Sequence, residues 1–323
     1  MRAIIALALL LLAAPAPAAD HAALNRAVVA GHILPAYARL TAATAALEQA
    51  TAAGCGDADR LRAAFATATL AWQGAQHLRF GPADWFNRAR RFALWPDPRN
   101  TVGRQLAELL ARGSLPDFAT GSVAVQGLTA LERMLFEPAL AARLAEPFPC
   151  AWLRATAANL AGMARDLEAE WRGDRYLPMV QPQEATLEIF KSLHTAVELA
   201  ADHKIARPLG NSPAAARPRL AEHWRSALSG PAVAENLRAA ESLFAAMAPF
   251  VADRALAADI AGRLAATAAA ARDLDLDHAW SDPQLRPAAE RLRADLAALK
   301  TVLAEKLTAA LDIPLGFNAL DGD

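Results

Sequence analysis

Apolar residues recur at helical spacing along almost all of the chain that follows the first twenty residues. In the run 122–136, Val125, Leu128, Leu131 and Leu135 are three or four positions apart, which is the spacing of one face of an amphipathic helix. This pattern predicts an all-α protein. Comparable stripes predict helices at 24–52, 57–78, 102–112, 150–172, 183–205, 232–251, 253–273 and 285–311, with a shorter helix at 219–228.

Proline and glycine lie mostly between these periodic runs, so the predicted helices are joined by short connections. Pro35 is an exception, and it predicts a kink in the first helix. The segment 173–182 opens with Gly173-Asp174 and ends in a proline-rich stretch, which makes it the best boundary in the chain. It separates a predicted N-terminal helical bundle at 20–175 from a C-terminal helical bundle at 176–323.

Residues 1–19 have the composition of a secretory signal peptide. Arg2 supplies a positive charge, 4–12 form a short apolar core, and small residues precede Asp20. The apolar core is too short for a permanent transmembrane helix, and no later stretch predicts a stable membrane span. We therefore expect export to a bacterial periplasm.

The cysteine content and the net charge give two further expectations. Cys55 and Cys150 are the only cysteines, and an even pair in an exported protein predicts a disulfide, with two unpaired thiols as the alternative. The chain has 33 basic and 34 acidic residues and a net charge of -1. This balance gives no sign of a nucleic-acid partner or of attraction to an anionic membrane surface.

The helix predicted at 122–136 carries a polar stripe of Gln126, Thr129 and Arg133, with Glu132 beside it. Polar groups on a mostly buried helix need partners, because an unpaired buried charge is costly. Gly127 is expected inside this helix, where a glycine usually allows another helix or a ligand to come close. The alternative is a tight helix crossing in which the glutamate forms a salt bridge.

Two other segments carry candidate chemistry. Gln73 and His77 are four residues apart near the end of a predicted helix and are expected to form a pocket wall. The alternative is that His77 and Arg79 only satisfy the last carbonyls of the helix. The segment 84–104 is rich in arginine and aromatic residues. Its arginines, Arg99 among them, are expected either to bind a carboxylate or phosphate or to pair internally. Asp97 is expected in a turn that caps the following helix.

The central run Gly127-Leu128-Thr129-Ala130-Leu131-Glu132 resembles the signature of the imelysin family, Gly-x-His-x-x-Glu on a helix. Gly127 and Glu132 match, and Thr129 stands in the place of the histidine. The surrounding run 125–135 resembles the periplasmic imelysin-like branch of the family. The segments 72–82, 92–106 and 201–210 are also similar to that branch. The resemblance covers most of the mature chain. It implies two tandem antiparallel helical bundles related by a pseudo-twofold, with a functional cleft between or beside them.

The same resemblance implies a periplasmic binding protein that is accessory to iron acquisition and has iron-uptake proteins as partners. Gln126, Thr129 and Glu132 would then line the cleft. His77 would supply the nitrogen ligand that Thr129 does not, so that Glu132 and His77 hold a metal, iron or zinc. Arg99, Asp202 and Lys204 would bind or orient a small anionic ligand.

Members of the family are named as peptidases, but this chain has neither a His-Glu-x-x-His motif nor a Gly-x-Ser-x-Gly motif. A threonine hydroxyl is also a poor metal ligand. We therefore expect no protease activity. Two alternatives stay open at this point. One is a metal-assisted hydrolase with Glu132 as general base, and the other is an interaction scaffold that uses the arginine- and aromatic-rich segment.

Overall fold

The structure is a computed structural model, and it describes residues 20–313. All regular structure in this range is helical, and no strand occurs within it, which confirms the all-α prediction. None of the helices between residues 20 and 313 is long and apolar enough to cross a membrane. The signal peptide predicted at 1–19 lies outside the described residues.

The first half of the chain contains three long helices and several shorter ones. Its helices are α1 (His21–Val28), α2 (Leu34–Ala52), α3 (Ala58–Gln73), α4 (Arg88–Phe92), α5 (Thr101–Arg112), α6 (Leu128–Phe136), α7 (Pro138–Ala141) and α8 (Pro147–Arg172). A π-helical segment, Val29–Ile33, joins α1 to α2 without a break. The irregularity expected at Pro35 therefore takes the form of a π-helical segment just before the proline.

The second half repeats this use of long helices with π-helical insertions. Its helices are α9 (Pro182–Glu198), α10 (Arg207–Leu209), α11 (Ser229–Met247), α12 (Arg254–Asp273), α13 (Leu276–Ala279), α14 (Arg286–Val302) and α15 (Thr308–Ala310). The segment Leu199–Ala206 joins α9 to α10, and Leu303–Leu307 joins α14 to α15. Both segments are π-helical.

Each half packs its long helices around its own apolar stripe. In the first half α2 packs against α3 and α8, and in the second half α11 packs against α9 and α12 while α14 covers α9 and α12. Side chains such as Leu40, Phe65 and Leu160 are fully buried in one half, as are Leu237 and Leu296 in the other. Each such side chain contributes roughly 1.5–3 kcal/mol by leaving water. The pseudo-twofold between the two bundles stays a prediction of the resemblance.

The N-terminal helix α1 packs in the second half, although it lies before the predicted boundary at 175. It contacts α9 and α11, whereas its continuation α2 packs in the first half. Asn25 Nδ2 donates to the carbonyl of Pro182 at 2.7 Å, and Thr186 Oγ1 donates to Asn25 Oδ1 at 2.8 Å. One uninterrupted helix therefore belongs to both bundles and ties them together.

Three predicted helices differ from the structure for identifiable backbone reasons. The segment 219–228 is a 3-10 turn followed by irregular turns, because His223 and Ala227 have positive φ angles that no helix accepts. The helix predicted from 57 ends at Gln73, where Gly74 follows, instead of near 78. The helix predicted from 122 begins only at Leu128.

Cys55 and Cys150 are bonded, with their Cα atoms 5.7 Å apart, so the predicted disulfide is confirmed. Cys55 lies in the connection between α2 and α3, and Cys150 lies in the first turn of α8. The bond thus closes a loop in which its two cysteines are 95 residues apart in sequence. It pins the far end of the helix that spans both bundles to α8.

Replacing both cysteines, Cys55→Ser with Cys150→Ser, should lower the free energy of unfolding by about 4 kcal/mol, because a loop of this length gives the unfolded chain a large entropy gain when it opens. Urea unfolding followed by circular dichroism measures the change. The reduced wild-type protein is the control and should have the same urea midpoint as the double variant. If both samples kept the midpoint of the oxidised wild type, the stabilising role of the bond would be contradicted.

Candidate functional site

A set of buried polar side chains lies where the two halves meet, and we call Gln73, Lys204, Glu222, His223 and Asn236 the junction cluster. Gln73 ends α3, Asn236 lies on α11, and Lys204 lies in the π-helical segment after α9. Glu222 and His223 belong to the turns before α11. All five are buried, with Gln73 fully enclosed. Buried polar groups of this kind persist only when they pair with one another.

The side-chain amide of Gln73 is the centre of the junction cluster. Its Oε1 accepts from Lys204 Nζ at 2.5 Å and from Asn236 Nδ2 at 3.1 Å, and also from Gln76 Nε2. An ammonium group only donates, so these contacts fix which way the amide points. The Nε2 of Gln73 must therefore donate to His223 Nε2, which lies 2.9 Å away. This assignment leaves the proton of a neutral His223 on Nδ1.

Lys204 and Glu222 form a buried ion pair within this cluster, with 2.6 Å between Lys204 Nζ and Glu222 Oε2. Burial lowers the pKa of Lys204, and the neighbouring Glu222 opposes that shift. Burial acts to raise the pKa of the Glu222 carboxyl, but the Lys204 ammonium outweighs it and holds that pKa below its ordinary value. The ring of Trp95 lies 6.0 Å from the ammonium, close enough for a cation–π contact.

Glu132 lies on α6 of the first half and faces Ser226 and His223 of the second half. It is only 3 % exposed, and its Oε1 accepts from the Ser226 backbone N–H at 3.2 Å and from Ser226 Oγ at 2.8 Å. His223 Nδ1 lies 3.9 Å from the same oxygen. The carboxylate of the family signature therefore faces an imidazole from the other half of the chain. Sequence reasoning missed His223, because nothing in its local pattern marks it.

Gly127 sets the position of α6 by allowing a close backbone contact. A Cβ atom at this residue would lie 2.6 Å from the carbonyl oxygens of both Arg91 and Phe92, a distance that no side chain tolerates. The close approach predicted for this glycine is therefore present. Its predicted place inside a helix was wrong, since its backbone is extended and α6 begins at the next residue, Leu128.

Gln126 holds the loop before α6. Its Oε1 accepts from Arg91 Nε at 3.1 Å, and its Nε2 donates to the carbonyls of Gly121 and Ser122 at 3.2 Å each. The role expected for Gln126 in lining a ligand cleft stays a prediction. Thr129 lies one turn before Glu132 on α6 and is partly exposed.

His77 and Glu132 lie beside different histidines, since His77 pairs with His32 and Glu132 faces His223. Its Nε2 lies 2.9 Å from His32 Nε2, and His32 Nδ1 lies 3.1 Å from Ser242 Oγ. The two residues proposed as metal ligands thus have separate partners. Within residues 20–313, no group of three or more His, Cys, Asp or Glu side chains is arranged to hold a metal ion. The donor set therefore does not fit a resident metal with the usual three or more protein ligands.

His32 and His77 are both held in the neutral form. Burial lowers the pKa of His32 to about 3, with Arg39 and Arg238 adding to the effect. Burial also lowers the pKa of His77 well below its ordinary value, and the neighbouring His32 contributes. At neutral pH one Nε2 of this pair therefore donates the hydrogen bond and the other accepts it.

The three residues expected to bind an anion lie in three different environments. Arg99 is exposed in the turn before α5, Asp202 forms an ion pair with Lys300, and Lys204 belongs to the junction cluster. No contact joins any two of these side chains in the part of the chain that the structure describes. Asp97 takes the capping position predicted for it, since its carboxylate accepts from the first backbone N–H groups of α5 at 2.7 and 2.9 Å.

Comparison with known proteins identifies the family. The family model described as Imelysin, Peptidase_M75, matches residues 33–306. This chain belongs to the imelysin family. The match spans both helical bundles and includes Gly127, Glu132 and the whole junction cluster.

Among solved structures, the chain is similar to an imelysin-like protein from Psychrobacter arcticum 273-4. The similarity covers 93% of this chain and 99% of that chain, with a TM-score of 0.78 and 20% sequence identity. At this level of identity the likeness shows that the two chains share a fold. A comparison with curated proteins found no match.

Removing the charge of Lys204 should destabilise this imelysin-family protein strongly. Lys204→Met leaves Glu222 buried without its counter-charge, which is expected to lower the free energy of unfolding by about 3–5 kcal/mol. The double variant Lys204→Met with Glu222→Gln carries no buried charge and should recover part of that loss. Urea unfolding at pH 7 measures both. Equal destabilisation in the single and double variants would show that the ion pair is not the cause.

The histidine pair should make stability fall in acid. Because the folded pKa of His32 is depressed, its contribution is complete above the unfolded pKa of about 6.5 and is lost as pH falls from there towards 3. Between pH 7 and 5 the protonation of His32 should lower the free energy of unfolding by about 2 kcal/mol, and His77 should act in the same direction. Urea midpoints at pH 5, 6 and 7 follow this loss.

The double variant His32→Gln with His77→Gln should flatten that pH profile. His278→Gln is the matched control, because His278 is exposed and pairs only with Asp275; its pH profile should follow the wild type. A double variant that still loses stability between pH 7 and 5 as steeply as the wild type would assign the acid sensitivity to other groups.

Proposed function

We propose that this imelysin-family chain is an exported binding protein that is accessory to iron acquisition and does not cleave peptides. The observation that carries the proposal is the position of Glu132. Its carboxylate is held by Ser226 and lies beside His223, so it touches both halves of the molecule at once. A ligand that contacted this carboxylate would act on the relation between the two bundles, which suits a binding protein.

The surroundings of Glu132 favour binding over hydrolysis. Two donors from Ser226 already occupy Oε1, so this oxygen is engaged in joining the halves and is poorly placed to take a proton from water. Thr129 also stands where the family signature has a histidine. A hydrolase that uses Glu132 as general base is the alternative that the experiment below must distinguish.

The iron assignment rests on the resemblance of imelysin-like domains to the metal-binding module of bacterial iron-uptake proteins. Because Glu132 and His77 have separate partners, we favour a chelated iron over a bare ion as the cargo. A chelate brings most of its own ligands and needs only a few contacts from the protein. Iron-uptake proteins of the same compartment are the expected partners.

Export to the periplasm is supported by two features. Residues 1–19 have the charge, apolar core and small residues of a signal peptide. The Cys55–Cys150 bond is of the kind that persists in oxidising compartments. A disulfide between the α2–α3 connection and the first turn of α8 is therefore in keeping with a protein that works outside the cytoplasm.

Calorimetry with the mature protein tests the proposed function. Iron(III) citrate should bind to the wild type, and Glu132→Gln should weaken that binding about tenfold or more, since the charge that contacts the cargo is lost. Glutamine keeps an acceptor for Ser226, so the fold should be retained. Glu305→Gln, at an exposed position, is the matched control and should bind as the wild type does.

Three results would overturn parts of this proposal. No binding of iron(III) citrate, ferric chloride or zinc chloride to the wild type would remove the iron role. Peptide release from casein that is abolished by Glu132→Gln would establish the hydrolase alternative. Unchanged binding and unchanged melting in Glu132→Gln would move the ligand site away from this carboxylate.

A further inference from the structure

A concave site that does not include Glu132 lies between the first half and the start of α9. It has a volume of about 480 Å³, within the range of small-molecule sites. One wall comes from the segment 79–85 and the other from the segment 176–188. We call it the aromatic pocket, after the side chains of Phe80, Trp85 and Tyr176 that line it.

The aromatic wall of this pocket is held rigidly. The ring of Tyr176 lies 5.5 Å from that of Phe80 and 5.6 Å from that of Trp171. Gly81 has a φ of +57°, and a Cβ atom there would lie 3.0 Å from the Tyr176 ring. Only glycine therefore lets the tyrosine pack so closely against the backbone, and the ring has little freedom to leave the wall.

The turn that presents Trp85 is also fixed, at a cost in backbone strain. The two residues after it, Phe86 and Asn87, have φ angles of +56° and +57°, which are unfavourable for a phenylalanine. Arg88 pins the turn, because its Nη1 donates to the carbonyl of Pro82 at 2.9 Å and its guanidinium pairs with Glu170 on α8. Strain retained under such restraint is typical of functional sites.

The charge around the aromatic wall is mainly negative. Asp84, Glu184 and Glu188 line the pocket, while Arg79 is the single basic residue in that lining. Glu188 also pairs with Lys191 at 2.8 Å outside it. Burial raises the pKa of Tyr176 to about 12, and Glu188 and Glu184 add to that rise. The field of these carboxylates therefore reaches the aromatic wall.

We propose that the aromatic pocket binds an organic cation, namely an ammonium group joined to an aromatic or other apolar body. The rings of Trp85 and Tyr176 line the pocket, and an aromatic ring attracts a cation that lies over its face. Asp84, Glu184 and Glu188 supply the opposite charge and outnumber Arg79, the one basic residue of the lining. The pocket does not include Glu132 or any residue of the junction cluster, so this site is independent of the iron proposal.

Phenethylamine and 2-phenylethanol test the proposal, because they have nearly the same shape and differ in charge. Calorimetry at low salt should show phenethylamine binding with a dissociation constant of about 0.1–1 mM, as expected for so small a ligand. The neutral alcohol and the anion 3-phenylpropanoate should bind at least about tenfold more weakly. Equal affinity for amine and alcohol would overturn the cation preference.

Variants locate the binding site. Asp84→Asn and Glu188→Gln should each weaken phenethylamine binding about threefold to tenfold, since each removes one unit of opposite charge. Asp259→Asn, which removes an exposed carboxylate from a different surface, is the control and should leave binding unchanged. Trp85→Leu should abolish binding while the helical circular dichroism spectrum is retained.

The remaining outcomes contradict the proposal. Absence of saturable phenethylamine binding by the folded wild type would reject the site. Equal loss in Asp259→Asn and Asp84→Asn would mean that the amine responds only to overall charge. Neither result bears on iron(III) citrate binding, so the two proposals fail separately.

Discussion

Lys204 brings a full positive charge into the interior at the place where the two bundles of this protein meet. An ammonium group there persists only if acceptors from several elements converge on it. Glu222 comes from the turns before α11, Gln73 from the end of α3, and Asn236 from α11 itself. The arrangement of helices at the junction is therefore specified by the need to surround one charge. Buried ion pairs add little net stability, but their loss is costly, so they act mainly on specificity.

The π-helical segments explain how long helices place buried polar side chains between the two bundles. His32 lies in Val29–Ile33 and Lys204 lies in Leu199–Ala206, and a proline follows each segment within two residues, Pro35 and Pro208. A proline has no N–H for the regular helical turn, and the wider π turn accommodates that loss. A π turn contains more residues than an α turn, and this rotates the face that the helix presents. The rotation directs His32 and Lys204 towards the other bundle. A π-helical segment before a proline thus positions His32 of the histidine pair in one half and Lys204 of the junction cluster in the other.

The helices and the disulfide could be predicted from sequence, because periodicity, capping residues and cysteine pairing are local or countable signals. The capping role of Asp97 and the close backbone approach at Gly127 could also be predicted, because both follow from local sequence. The junction cluster could not be predicted. His223 reaches Gln73 across 150 residues, and it lies in a segment whose apolar pattern predicted a helix that its left-handed backbone forbids. For Gln126, the sequence indicated that a buried amide needs partners but did not identify them. The partners include carbonyls of a neighbouring loop.

The helix that runs from α1 through Val29–Ile33 into α2 also constrains the order in which the chain folds. A polypeptide that emerges from its N-terminus presents α1 first. The helices that receive α1 are α9 and α11, which begin only at Pro182 and Ser229. The Asn25–Pro182 contact spans 157 residues. Until α9 and α11 arrive, Leu24 and Val28 have no surface on which to be buried. The first bundle can therefore assemble α2, α3 and α8 early, but the second bundle can capture the N-terminal turns only after α9 and α11 have appeared.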